Sequence, residues 1–270
     1  MRALAFLLVL FAGLSHANAE TSLDGNLTQG GLVIGHADPG STVALDGRDV
    51  RVDADGLFVI GFHRDAAATA ELTVTGPDGK AERRTLAIAP REWNIQRIDG
   101  LPKTMVTPPP EVLERIRREN AEIAALRKID RPESLFRSGF AWPAIGRISG
   151  VYGSQRILNG EPKWPHYGVD IAAPVGTPVK APADGIVVLA EKDLYYTGGT
   201  VILDHGHGLS SAFLHMSAIT VKVGDRLRQG DMLGKIGATG RATGPHLDWR
   251  MNWFEERIDP QLLVPPMPGS

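Results

Sequence analysis

The amino-acid sequence predicts a mainly β protein: two β regions with one helix between them. Three observations carry that prediction. Short runs alternate apolar and polar residues, as in "STVALDGRDVRVDADGLFVIGF" at 41–62, which is the period of a half-buried strand. Asp46-Gly47, Asp55-Gly56 and Asp78-Gly79 punctuate these runs as hairpin turns do. Finally, Gly 31 and Pro 19 stand against 6% aromatic residues, a balance suited to turn-rich β structure.

The first element is a leader rather than part of the fold. "MRALAFLLVLFAGLSHANAE" places Arg2 before an apolar run from Ala3 to Leu14 and ends on the small-x-small triplet Ala17-Asn18-Ala19. That layout predicts a signal peptide over 1–19 with cleavage after Ala19. The apolar run is shorter than the roughly 20 residues a membrane span needs, and no later segment is apolar enough to cross. The chain has no cysteine. Lipid attachment, disulfides, thiolate metal sites and cysteine nucleophiles are therefore all excluded, and any metal must be held by His, Asp, Glu or Asn. A formal net charge of -2 gives no basic excess for nucleic acid.

The second element, residues 20–102, reads as five to seven short strands, hence a small Ig-like β-sandwich. "DADG" at 53–56 lacks the further acidic residues of a calcium loop and reads as a turn. A linker over 103–135 follows. Pro108, Pro109 and Pro110 end the extended region, and Pro110 suits the first turn of a helix. Leu113, Ile116, Ile123 and Leu126 then recur at helical spacing, so a helix over about 110–129 is expected to pack its narrow apolar stripe on a neighbouring domain or to act as a spacer.

The last element, 136–264 with a tail at 265–270, is β again, and most of the eight histidines fall in it. In "WPHYGVDIAAPVGTPV", His166 and Asp170 are four apart. On a strand such positions share a face, with only Gly168 between them. In "TGPHLDWRMNWF", His246 and Asp248 share one face of a strand, while Leu247 and Trp249 share the other. Trp249 and Trp253 therefore read as core. His205-x-His207, bracketed by glycines, reads as a solvated hairpin tip, and His215 ends a strand on the face opposite Leu214.

The segments "HYGVDIAAPVGTPVKAPADGIV", "GGTVILDHGHGLSSAFLHMS" and "VKVGDRLRQGDMLGKIGATGRATGPHL" resemble the lysostaphin-type (LytM-like) zinc endopeptidases, which cut the peptide part of bacterial cell walls. The resemblance covers about residues 140–262 and implies a C-terminal LytM-like antiparallel β-sheet peptidase domain. Together with the N-terminal module, it points to an exported Gram-negative member acting in the periplasm on peptidoglycan stem peptides. Carried over position by position, it implies one Zn2+ held by His166, Asp170 and Asp248, with His215 and His246 as catalytic residues. At 248 the family's pattern has His, so this chain departs from it at one of three ligands. Asp is an acceptable zinc ligand, but it is shorter than His, and a second carboxylate lowers the ion's effective charge. A tuned site is expected. Arg156, in "VYGSQRI", is a candidate for gripping a stem-peptide carboxylate. The alternative reading is an inactive LytM-like regulator that binds peptidoglycan or activates another cell-wall hydrolase.

Overall fold

The computed structural model describes residues 21–98 and 110–269. The leader and Pro108–Pro109 lie outside the described residues. Among those described, no helix is long and apolar enough to cross a membrane.

The N-terminal region holds β1 (Ser22–Gly25), β2 (Leu32–His36), β3 (Thr42–Leu45), β4 (Arg48–Val50), β5 (Leu57–Gly61), β6 (Thr69–Thr75) and β7 (Ala81–Ala87). They form two antiparallel sheets, ordered β1-β2-β5 and β4-β3-β6-β7. The alternation seen in the sequence fills the space between them with Val43, Leu45, Phe58, Ile60, Leu72 and Val74, all buried. The "DADG" turn is a joint, not an ion loop. Asp53 Oδ1 accepts from the Asp55 and Leu57 amides at 3.0 and 2.9 Å, and Oδ2 accepts from Ser134 Oγ at 2.6 Å. Burial opposes its ionisation, but these bonds outweigh it and hold the carboxyl at about 2.

The next strand, β8 (Ile95–Ile98), leaves the two sheets. It runs parallel to β10 (Gln155–Leu158), which pairs with the short β11 (Glu161–Pro162). Helix α1 (Leu113–Leu126) follows a 3-10 turn at Pro110–Val112, within the range its periodicity implied. Its stripe is used: Ile123 and Leu126 pack on a small apolar cluster of Leu189, Leu194 and Ile202. Glu119, salt-bridged to Arg115 one turn earlier at 2.6 Å, accepts the Tyr195 amide at 2.9 Å. The helix is thus tied to the large sheet.

That sheet contains β9 (Arg147–Gly150), β12 (Val169–Ala172), β13 (Pro178–Lys180), β14 (Gly185–Leu194), β15 (Gly198–Gly206), β16 (Leu209–Ile219), β17 (Arg226–Leu227), β18 (Met232–Ile236), β19 (His246–Trp253) and β20 (Glu256–Ile258). Its main path is β17-β14-β15-β16-β19-β12-β9. Leu247, Trp249, Met251 and Trp253 on β19 point into the core and are 0–2% exposed. Trp142 stacks edge-on against Trp249 at 5.8 Å. The core is continuous from the N-terminal sheets to the C-terminal one. At Gly61 a Cβ would stand 2.6 Å from Ile258 Cδ1 and 2.9 Å from Trp253 Cβ, so a side chain there would push against β19 and β20.

Candidate metal centre

The register of the central strands builds the site. Antiparallel pairing sets Asp170 on β12 directly opposite Asp248 on β19, and Ala172 opposite His246. Directly opposed side chains stand about 4.5–5.5 Å apart at Cβ on one face, so the two carboxylates are neighbours by construction. His166 joins them from the segment before β12, pinned by its amide to Ser154 O at 2.8 Å. Its Nε2 lies 3.2 Å from Asp170 Oδ1 and 3.4 Å from Asp248 Oδ1. Gly168 keeps the space open, since a Cβ there would fall 2.4 Å from Asp248 Oδ1.

One imidazole nitrogen and two carboxylate oxygens all lie within 4.8 Å of one another. Two ligand atoms held tetrahedrally at zinc's usual bond lengths are about 3.4 Å apart, which matches both contacts of His166. Asp170 Oδ1 is buried and accepts no hydrogen bond, an arrangement that costs free energy unless a cation fills the gap. The donor set fits zinc. Burial, with Asp248 beside it, pushes the Asp170 carboxyl above the usual carboxylate range.

Asp248 differs. It is 3% exposed, and burial alone would raise its pKa. Arg250 outweighs that and holds the carboxyl below its ordinary value. The guanidinium grips both oxygens: Nε reaches Oδ1 at 3.1 Å and Oδ2 at 3.0 Å, and Nη2 reaches Oδ2 at 2.6 Å. The sequence-based expectation counted the second carboxylate without this partner. The Asp248–Arg250 pair carries no net charge, as a neutral imidazole would. The direct β12–β19 pairing and Gly168 bring the shorter Asp side chain close to His166 and Asp170.

His215 and His246 flank the trio. Their rings lie 4.8 Å apart between centroids. His215 Nδ1 faces Thr239 O at 2.8 Å, and His246 Nδ1 faces Gly244 O at 2.8 Å. A carbonyl only accepts, so each Nδ1 carries a proton and Nε2 is the nitrogen left to face the site. His246 Nε2 is 3.8 Å from Asp170 Oδ1. His215 ends the β16–β19 register after Leu214 and adopts φ 64°, a left-handed backbone that costs about 1 kcal/mol or more in a side-chain-bearing residue. Burial lowers its pKa, although the Thr239 carbonyl works the other way, so it stays neutral and basic near pH 7.

The structure thus brings together His166, Asp170, Asp248, His215 and His246. Arg156 is exposed on β10, with no side-chain hydrogen bond or ion pair among the described residues. His205 and His207 are not a solvated tip. They are 0% and 1% exposed, because the 131–140 segment covers the hairpin. Phe140 stacks edge-on against His205, and Phe136 against His207. Arg250 was missed, although its place two residues past Asp248 on the same face of β19 was a readable signal.

Known proteins resemble this chain in sequence and in fold. Residues 164–260 match Peptidase family M23. A crystal structure of a Pseudomonas aeruginosa chain assigned to peptidase M23 superposes with a TM-score of 0.67 at 32% identity, covering 88% of this chain and 95% of that one. The peptidoglycan DD-endopeptidase ShyA of Vibrio cholerae is 42% identical over 87 residues, 32% of this chain and 20% of that protein. The DD-carboxypeptidase/endopeptidase Mpg of Neisseria meningitidis is 37% identical over 103 residues, 38% of this chain and 24% of that one. The matched segment spans only about a fifth to a quarter of these curated relatives. A β-sheet face carrying one imidazole, two carboxylates and two flanking histidines is a metallopeptidase-type site. The chain belongs to peptidase family M23.

Proposed function

We propose that this protein is a zinc-dependent endopeptidase that hydrolyses peptide cross-links of peptidoglycan, in the periplasm if the leader-like residues 1–19 act as read. The convergence of His166 Nε2, Asp170 Oδ1 and Asp248 Oδ1 beside two histidines with free Nε2 atoms carries this reading. The printed names of ShyA and Mpg supply the substrate class.

A zinc ion held by His166, Asp170 and Asp248 would supply Lewis-acid polarisation of the scissile carbonyl and acidify the attacking water. The protein's own groups do the rest. A neutral imidazole at His215 or His246 takes a proton at Nε2 as the water attacks. The protonated ring then donates, either to the oxyanion of the tetrahedral intermediate or to the departing amine. The Thr239 and Gly244 carbonyls keep Nδ1–H in place through both steps, so the rings need not turn. Arg250 keeps Asp248 ionised and fixed in orientation.

Metal analysis of the purified protein and digestion of isolated sacculi by wild type and His166→Ala test the reading. About one zinc per chain is expected, with muropeptides released by the wild type only. No product from either protein would overturn it and favour the regulator.

A further inference from the structure

A cavity of about 40 Å3 lies on the same face of the large sheet, beyond Asp248 and under the end of α1. By that measure it has room for about three waters or one carboxylate group. Its floor is β15, β16 and β19 (Thr200, Ser210 and Asn252 among others), and its roof is Ile123 and Leu126 of α1. Three arginines line it: Arg127, Arg250 and Arg257.

The charge there does not balance. Arg250 spends Nε and Nη2 on Asp248. Among the described residues, Arg257 reaches the neutral Asn252 Oδ1, at 3.3 Å, and the ring of Tyr167, neither of them an anion. Arg127 has no side-chain hydrogen bond and no ion pair among the described residues. Burial and mutual repulsion lower Arg127 to about 10 and Arg257 to about 9. Glu255 opposes this at Arg127 but pairs with Arg48 at 3.9 Å. Two partly buried guanidinium groups without an ion-pair partner are costly to keep, and their planar forks match a carboxylate. Strand geometry puts residue 250 about 7 Å from residue 248, so the cavity opens one or two residues of an extended peptide away from the metal ligands.

We propose that Arg127, Arg250 and Arg257 form a subsite for a free carboxylate of the peptide substrate, one or two residues from the scissile carbonyl. The anion site stands on the arginines alone. Only the word substrate rests on the endopeptidase reading.

Calorimetric titration with a blocked dipeptide bearing a free C-terminal carboxylate, and with its C-terminal amide, tests this on the zinc-loaded full chain. The acid should bind at least tenfold more tightly than the amide. In Arg127→Gln/Arg257→Gln the ratio should fall below twofold while zinc content is unchanged. Arg127→Gln alone should give an intermediate ratio, which keeps the test open if the double variant folds poorly. Equal affinities in the wild type, or no saturable binding of either peptide, would overturn the proposal. So would discrimination that survives in the double variant, because the metal would then be holding the acid. Sacculi left intact by a protein that still prefers the acid would sink the peptidase reading and leave the subsite standing.

Discussion

His205 and His207 lie within ten residues of His215, yet the two groups are held in opposite ways. His205 spends both ring nitrogens on the protein, Nδ1 on Asp184 O at 2.6 Å and Nε2 on Ser211 Oγ at 2.8 Å. His207 turns Nε2 to Ser134 Oγ and Pro132 O, each at 3.2 Å. Among the described residues, His215 and His246 hydrogen-bond through Nδ1 alone and keep Nε2 for the metal ligands' side. Histidine count and spacing do not separate these roles, and a His-x-His pair in a hairpin is the more conspicuous motif. What separates them is where the remaining nitrogen lies: His205 has none left, His207 Nδ1 is sealed in the core without a partner among the described residues, and the Nε2 atoms of His215 and His246 face the metal ligands. A ring sealed in the core is structure, and one with a nitrogen turned to the site is a reagent.

The sharpest way to break this contrast is to remove one ring from each set. His166→Ala should abolish zinc retention and reduce hydrolysis at least about a thousandfold, some 4 kcal/mol of transition-state stabilisation, with little change in thermal unfolding of the metal-free protein. His205→Ala should keep its zinc but lose about 3 kcal/mol of stability, through a cavity and two stranded hydrogen-bond partners. Zinc content and denaturant midpoints on the same preparations decide it. Zinc loss on His205→Ala with unchanged stability would reverse the assignment.

Acid provides a second, slightly smaller test. Burial lowers His205 from its ordinary 6.5 to about 4, against a pull upwards from the Asp184 carbonyl. Between those values the unfolded chain takes up a proton that the folded one refuses. The contribution is therefore fully present above about pH 6.5 and is lost as pH falls towards 4, by up to about 3 kcal/mol. Unfolding free energies of wild type and His205→Gln, measured from pH 7 to 4, should converge as the pH drops. Parallel curves would place the titrating group elsewhere.

The same distinction explains which parts were legible in the sequence. The period of two placed His246 and Asp248 together and sent Trp249 and Trp253 to the core, because strand alternation is local. His166 and Asp170 could be joined across Gly168 for the same reason. The burial of His205 and His207 could not be read, since their cover comes from residues some seventy positions earlier. Nor could the departure of β8 to pair with β10, a parallel contact between segments about sixty residues apart. Arg250 was within reach of the alternation argument. Its value emerges only once Asp248 is known to be buried, since a buried carboxylate needs a cation.

Arg250 carries the contrast from histidines to arginines, because its Nε and Nη2 are spent on Asp248 as His205's nitrogens are spent on the core. Arg250→Ala would leave Asp248 buried without its partner and free to turn. Zinc affinity should fall about 10- to 100-fold, the usual cost of losing the group that orients a ligand. Competition with a chelator measures it. Unchanged affinity would mean that β12 and β19 alone fix the carboxylate.

Arg127 is the unspent counterpart, and the smallest effect is expected there, with the opposite sign. At neutral pH it is a cation in a partly buried site, lowered to about 10 by burial first and by Arg250 next, with only Glu255 opposing. Partial exposure screens much of that cost. Arg127→Gln should therefore raise the unfolding free energy by about 1 kcal/mol, visible as a small increase in Tm in ligand-free buffer. Added free-carboxylate dipeptide should erase the difference by stabilising the wild type preferentially. A group that weakens the fold when empty and strengthens it when occupied is the stability–function trade expected of a binding residue. A loss of stability in the variant would instead place Arg127 among the spent groups, as part of the structure that ties α1 to the sheet.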